Sequence, residues 1–172
     1  MLRRLRENGP VVLVPLAWTF ALAAHMDALA LRTVLIAHLV MDTVIVAFTA
    51  LSWREMTSGV LRAWKLVLLA GLVATLVGTA GLLATPPFRP ALTATVVAWM
   101  VIPAAGLAYT GQHVDRLASV YTAGAALSVL GAVGYVAGVG VTTGVGPVLV
   151  AAGLGLTGIG QTAGIAAAVA AY

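Results

Sequence analysis

From Val11 to Trp53 the chain runs for 43 residues with no strong helix breaker except Pro15. One helix of that length would be about 64 Å long, twice the roughly 30 Å hydrocarbon core of a bilayer. The run must therefore fold back on itself. His25, Asp27 and Arg32 interrupt it and mark the place, which predicts a first span over residues 11–29, a second over 33–53, and a turn centred near Leu31 and Arg32. Four more apolar stretches follow, over 63–83, 91–110, 117–139 and 147–172. They are separated by the breaker-rich segments 85–90, 111–113 and 142–147.

Composition points the same way. Hydrophobic residues make up 62% of the chain and charged residues 8%, with a mean hydropathy of +1.08, and no water-soluble domain of 172 residues is built so. The expected fold is an all-α integral membrane protein, a single transmembrane domain over 1–172 forming a six-span helix bundle. The opening residues have the charged and apolar parts of a signal peptide, but the apolar run continues past any cleavage point, so a retained first helix is expected.

The nine cations orient this bundle. With six spans and the N-terminus inside, Arg3, Arg4, Arg6, Arg54, Arg62, Lys65 and Arg116 lie on the inner side, against Arg32 and Arg89 outside. Merging the first two runs into one span destroys this asymmetry and leaves Arg32 in lipid. Six spans with both termini cytoplasmic is the expectation. The same scatter over short loops argues against nucleic acid as a partner, despite a pI near 10.1. The lipid bilayer is the expected partner, with a homo-oligomer or a larger membrane complex as further candidates. Eight Arg against one Lys, with abundant Ala, Val and Gly, suggests a prokaryotic cell membrane.

The chain has no cysteine. Disulfides, thiolate metal sites, iron–sulfur clusters and thiol redox chemistry are thereby excluded. There is also no HExxH, GxSxG or P-loop, and the loops are too short for a soluble active-site domain, so the chain reads as a non-enzyme.

Asp42 stands in the middle of the second apolar run, with His38 one helical turn before it. A charged group at the bilayer centre costs at least a few kcal/mol, which makes such an acid a functional-site candidate. A turn near Leu31 and Arg32 would bring His25 to the same depth as His38, with Asp27 above and Asp42 about 6 Å deeper. His25, Asp27, His38 and Asp42 are the candidate ion- or proton-handling residues. His113 and Asp115 belong to an inner loop, where Asp115 suits the N-terminus of the fifth helix.

Other polar groups inside spans are few: Thr75, Thr79, Ser128, Thr157, Gln161 and Thr162. Interhelical hydrogen bonding is the simplest role for Gln161. Pro103 should kink the fourth span and free the carbonyl of Trp99. Glycines crowd the last two spans, and the GxxxG pairs Gly134 with Gly138 and Gly160 with Gly164 predict close packing there.

Three functions fit these features. The first is a small transporter or channel component that handles protons or a small cation through the Asp42 and His38 pair. The second is a haem-binding electron-transfer subunit with His25 and His38 as axial ligands of haem b; otherwise no cofactor is expected. The third is an accessory or assembly subunit of a larger complex. Transport ranks first because the acid lies deep in a span.

Overall fold

A computed structural model describes the backbone of residues 2–171 and the side chains of residues 9–171. The described residues form six helices: α1 (Leu2–His25), α2 (Leu31–Ser52), α3 (Gly59–Leu83), α4 (Arg89–His113), α5 (Ala118–Gly140) and α6 (Val145–Ala171). The fold is an all-α bundle. Five helices, α2 to α6, are long and apolar enough to cross a membrane, while the apolar part of α1, Gly9–His25, is shorter.

The links between helices fall on or beside the expected breaker residues, except that α4 runs on through Gly111, Gln112 and His113 and the first turn is displaced. The first turn falls on residues 26–30, before Arg32 rather than around it. Its cause is local. Asp27 adopts left-handed backbone (φ 54°), Ala28 N–H donates to Ala23 O at 3.0 Å and Asp27 N–H to Ala24 O at 3.3 Å. This pair of bonds is a Schellman closure, and Asp is among the few residues besides Gly that tolerate the conformation. Arg32 consequently sits in the first turn of α2. His38 lies about 10 Å further along α2 than its start at Leu31, whereas His25 is the last residue of α1. The helix α5 begins later than expected as well, at Ala118, with Leu117 in left-handed backbone (φ 59°) as its cap, so Asp115 lies outside the first helical turn.

Successive helices from α2 to α6 pack side by side, and α4 also touches α6. The exception is α1. Only five residues link it to α2, yet it packs along α6, and Trp18, Ala21 and Leu22 close over the cluster of Met100, Ala132, Tyr135 and Leu154. At the other edge of the bundle α2 packs along α3. A second cluster, Leu107, Tyr121, Ala125 and Ala167, fills the opposite end of the α4, α5 and α6 core.

The closest helix pair is α5 with α6, and its seam is a ladder of glycines. A Cβ on Gly124 would stand 2.5 Å from Gly160 O, one on Gly131 2.5 Å from Gly153 O, and one on Gly138 2.7 Å from Gly146 O. These glycines recur every seven residues on both helices. Seven residues is two turns, so the same face returns and the backbones stay in contact along their length. The GxxxG spacing does not describe this seam. Gly134 has nothing nearer than 3.8 Å, and Gly164 turns to Leu107 of α4.

Adding side-chain volume to the ladder should separate the helices. Gly153→Val is expected to destabilise the protein by about 1–3 kcal/mol, whereas Gly134→Ala should fall within about 0.5 kcal/mol of wild type. Unfolding of both variants in detergent, followed by circular dichroism, checks the contrast.

Candidate functional site

Hydrogen bonds among side chains and to backbone carbonyls join Trp18, Gln161, Trp99, Thr75, Thr79 and Asp42 into one belt. It begins at Pro103, which has no N–H to give the carbonyl of Trp99 four residues earlier. Gln161 of α6 supplies the missing donor, its Nε2 reaching Trp99 O at 2.9 Å. The other end of the same amide accepts from Trp18 Nε1 of α1 at 3.0 Å. One side chain thus ties α1, α4 and α6 together.

Trp99 carries the belt onward. Its indole lies against Gly71, where a Cβ would stand 2.6 Å from the ring, and its Nε1 donates to Thr75 Oγ1 at 2.9 Å. Thr75 in turn donates to Gly71 O. One turn along α3, Thr79 Oγ1 lies 2.9 Å from Asp42 Oδ2 and 3.0 Å from Thr75 O. Asp42 is the end of the belt. Its second oxygen, Oδ1, is buried without a hydrogen-bond partner.

Helix α2 places Asp42 close to its midpoint, eleven residues from the first. His38 shares its face. The imidazole Nδ1 lies 3.0 Å from Val34 O, and because a carbonyl only accepts, that nitrogen carries the hydrogen. Nε2 faces the α3 side, 3.1 Å from where a Cβ on Gly78 would stand, and holds a lone pair there when the imidazole is neutral. Thr95 Oγ1 of α4 lies 2.8 Å from the same point and donates to backbone carbonyls of α3 and α4. Gly78 is therefore required: any side chain there would push into His38 and Thr95 together.

His25 goes elsewhere. Its Nδ1 lies 2.8 Å from Ala21 O and its Nε2 2.8 Å from the Tyr135 hydroxyl of α5, with the two rings edge to face at 5.3 Å. With Nδ1 as donor, the neutral imidazole accepts the Tyr135 proton at Nε2. His25 and His38 are thus engaged by different helices, and both nitrogens of His25 have partners. Asp27 is exposed in the turn, where its left-handed backbone accounts for its presence. His113 is stacked on Tyr109 at 3.9 Å. Among the described residues no three His, Asp or Glu side chains gather as a metal site.

Sequence reasoning picked out Asp42, His38, Thr75, Thr79, Gln161 and the freed Trp99 carbonyl, but passed over Trp18 and Tyr135. Their signal was present. Aromatic residues make up only 6% of the chain, and a Trp or Tyr in mid-span carries a donor that hydrocarbon cannot satisfy.

Because Gln161 answers a carbonyl that Pro103 exposes, the two residues should be coupled. Gln161→Leu is expected to cost about 1–3 kcal/mol, and about 1 kcal/mol less in a Pro103→Ala background, where a backbone N–H returns to Trp99 O. A double-mutant cycle of unfolding free energies in detergent measures the difference.

No protein-family model, no curated protein and no solved structure matches this chain.

Proposed function

We propose that the protein is a small transporter or channel component, not an enzyme, which moves protons or a small cation across the membrane with Asp42 as the group that takes up and releases the charge. In this reading it spans the prokaryotic cell membrane six times with both termini in the cytoplasm, an orientation supported by the excess of cations that it leaves on the inner side, seven against two. One observation carries the proposal. Asp42 is an ionisable group at the middle of a membrane-length helix, with one oxygen on Thr79 and the other buried and unpartnered. A carboxyl kept only for packing would be expected to have both oxygens satisfied, since each orphan costs about 1–3 kcal/mol.

Thr79 also suits a carboxyl that changes its protonation state. Its hydroxyl has one hydrogen and two acceptors, Asp42 Oδ2 at 2.9 Å and Thr75 O at 3.0 Å. When Asp42 is ionised the hydrogen points to the carboxylate. When Asp42 is protonated, its O–H donates to Thr79 Oγ1 and the Thr79 hydrogen turns to Thr75 O. The change needs one hydroxyl rotation and no movement of a helix. His38, four residues away with a lone pair on Nε2, is a second proton acceptor on the same face.

A second reading, as a homo-oligomer or a subunit of a larger membrane complex, draws on a separate observation. In α2 only 17% of the apolar window is buried, against 33–44% in α3 to α6. The helix that carries the acid therefore has the most surface left for another chain.

In liposomes carrying a pH gradient, the wild-type protein should dissipate the gradient, and Asp42→Asn should lower the rate at least tenfold while leaving the unfolding temperature unchanged. Equal rates for the two proteins would overturn the role of Asp42. Dissipation of a monovalent-cation gradient with the pH gradient left intact would assign the cation as the cargo.

A further inference from the structure

We infer that the seam between α2 and α3 holds a thread of water that leads protons from Asp42 to the membrane face at which α2 ends, with Thr49 and Ser52 as its hydrogen-bonding steps and Ile45 beside it as an apolar narrowing. The inference rests on the reading of Asp42 as a proton-handling group. It names the route and, with it, the proton as the cargo.

The seam face of α2 is His38, Asp42, Ile45, Thr49 and Ser52, a spacing of three and four residues that keeps all five on one side of a helix. Ile45, Thr49 and Ser52 are buried, at 4%, 6% and 4% exposure, and α3 is the helix along which α2 packs. Away from this stripe α2 is largely exposed and mostly aliphatic, with Ile36, Leu39, Val40, Val44, Val46 and Leu51 on the outside beside Thr33 and Thr43. A membrane helix with its acid and two of its hydroxyls, Thr49 and Ser52, turned inward offers polar groups along the inner stripe.

Thr49 is the telling residue. In this protein Thr43, Thr75, Thr79, Thr95, Thr110 and Thr157 each donate to the carbonyl four residues earlier, at 2.8–3.0 Å. Thr49 does not use that bond. Its Oγ1 is buried with no protein partner, as is Asp42 Oδ1 seven residues before it on the same stripe. Thr162 on α6 is a third such hydroxyl, but it is alone on its helix. Two orphan oxygens on one face of one helix are the polar ends that a bridging water chain requires. Their separation along the helix is about 10 Å, which about three waters at ordinary O–H···O spacing would span.

The transfer along such a thread is balanced. The protonated Asp42 carboxyl turns about its Cβ–Cγ bond so that its O–H leaves Thr79 and faces the thread, the Thr79 hydrogen turns back to the carboxyl, and the O–H bond breaks as a water takes the proton. Each water then passes one of its own protons onward, and the Thr49 hydroxyl accepts one proton while releasing its own. Every step replaces one O–H bond with another, and nothing is oxidised or reduced.

The absence of native cysteine makes the test direct, because a single introduced thiol supplies the only S–H stretch in the infrared spectrum. The reconstituted Thr49→Cys protein is exposed to D2O and its S–H to S–D conversion compared with that of Val46→Cys, which faces outward on the same helix. The Thr49→Cys thiol is expected to exchange at least tenfold faster. Exchange no faster than in Val46→Cys would mean a dry seam and overturn the inference. If Thr49→Cys fails to fold, Ile45→Cys serves with the same two outcomes. A fast thiol in a protein without proton flux would uphold the wet seam and refute the transport reading. A slow thiol in a protein whose flux depends on Asp42 would refute the seam as the route and leave the transport reading standing.

Discussion

The contact on which this bundle turns is the one between the Gln161 amide and the carbonyl of Trp99. Hydrocarbon offers no hydrogen bonds, so a backbone carbonyl freed inside a membrane must find a donor within the protein. Pro103 frees one in α4, and Gln161 reaches it from α6 while accepting the indole N–H of Trp18 from α1. That exchange explains the topology at the start of the chain. The five-residue link would allow α1 to lie along α2, but Trp18 and the apolar residues beside it find their partners on α4 and α6.

Around this node the six helices are held by different means. Between α5 and α6 it is backbone proximity, made possible by glycines every seven residues, and the gain is dispersion and dipole contact over a long seam. Between α3 and α4 it is an indole seated on Gly71 and a threonine hydroxyl donating across the gap. Between α2 and α3 it is a single carboxyl bond to Thr79 and a buried stripe with hydroxyls in it. The acid stands on the helix with the fewest neighbours, at the end of a hydrogen-bonded chain whose other members are neutral.

Much of the bundle was legible before any coordinates. Six helices were expected, and all but the first, which starts at Leu2 rather than at residue 11, lie within a few residues of where the sequence puts them, because apolar length and breaker residues are local properties and the bilayer sets a minimum length. Asp42 and the Trp99 carbonyl were identified for the same reason: an acid or a proline in mid-span is costly wherever the helix happens to pack. The first turn was misplaced because Arg32 was read as its centre, whereas a long basic side chain is comfortable in the first turn of a helix and the break itself came from the left-handed Asp27. The glycine seam was sought at four-residue spacing, but a contact that continues along both helices recurs every seven.

The chain by itself determined that this is a helical membrane protein, how many helices it has, roughly where each begins and ends, and which few side chains hydrocarbon cannot tolerate alone. Those follow from the cost of burying polar groups, which each segment bears independently. Only the tertiary structure decided which partners those side chains have: His25 with Tyr135 rather than His38, Trp18 with Gln161, Asp42 with Thr79. The reason is geometric. Helical periodicity states which residues share a face, but not which neighbouring helix that face meets, and in this bundle the pairing was set by a freed carbonyl and a glycine ladder far from the acid itself.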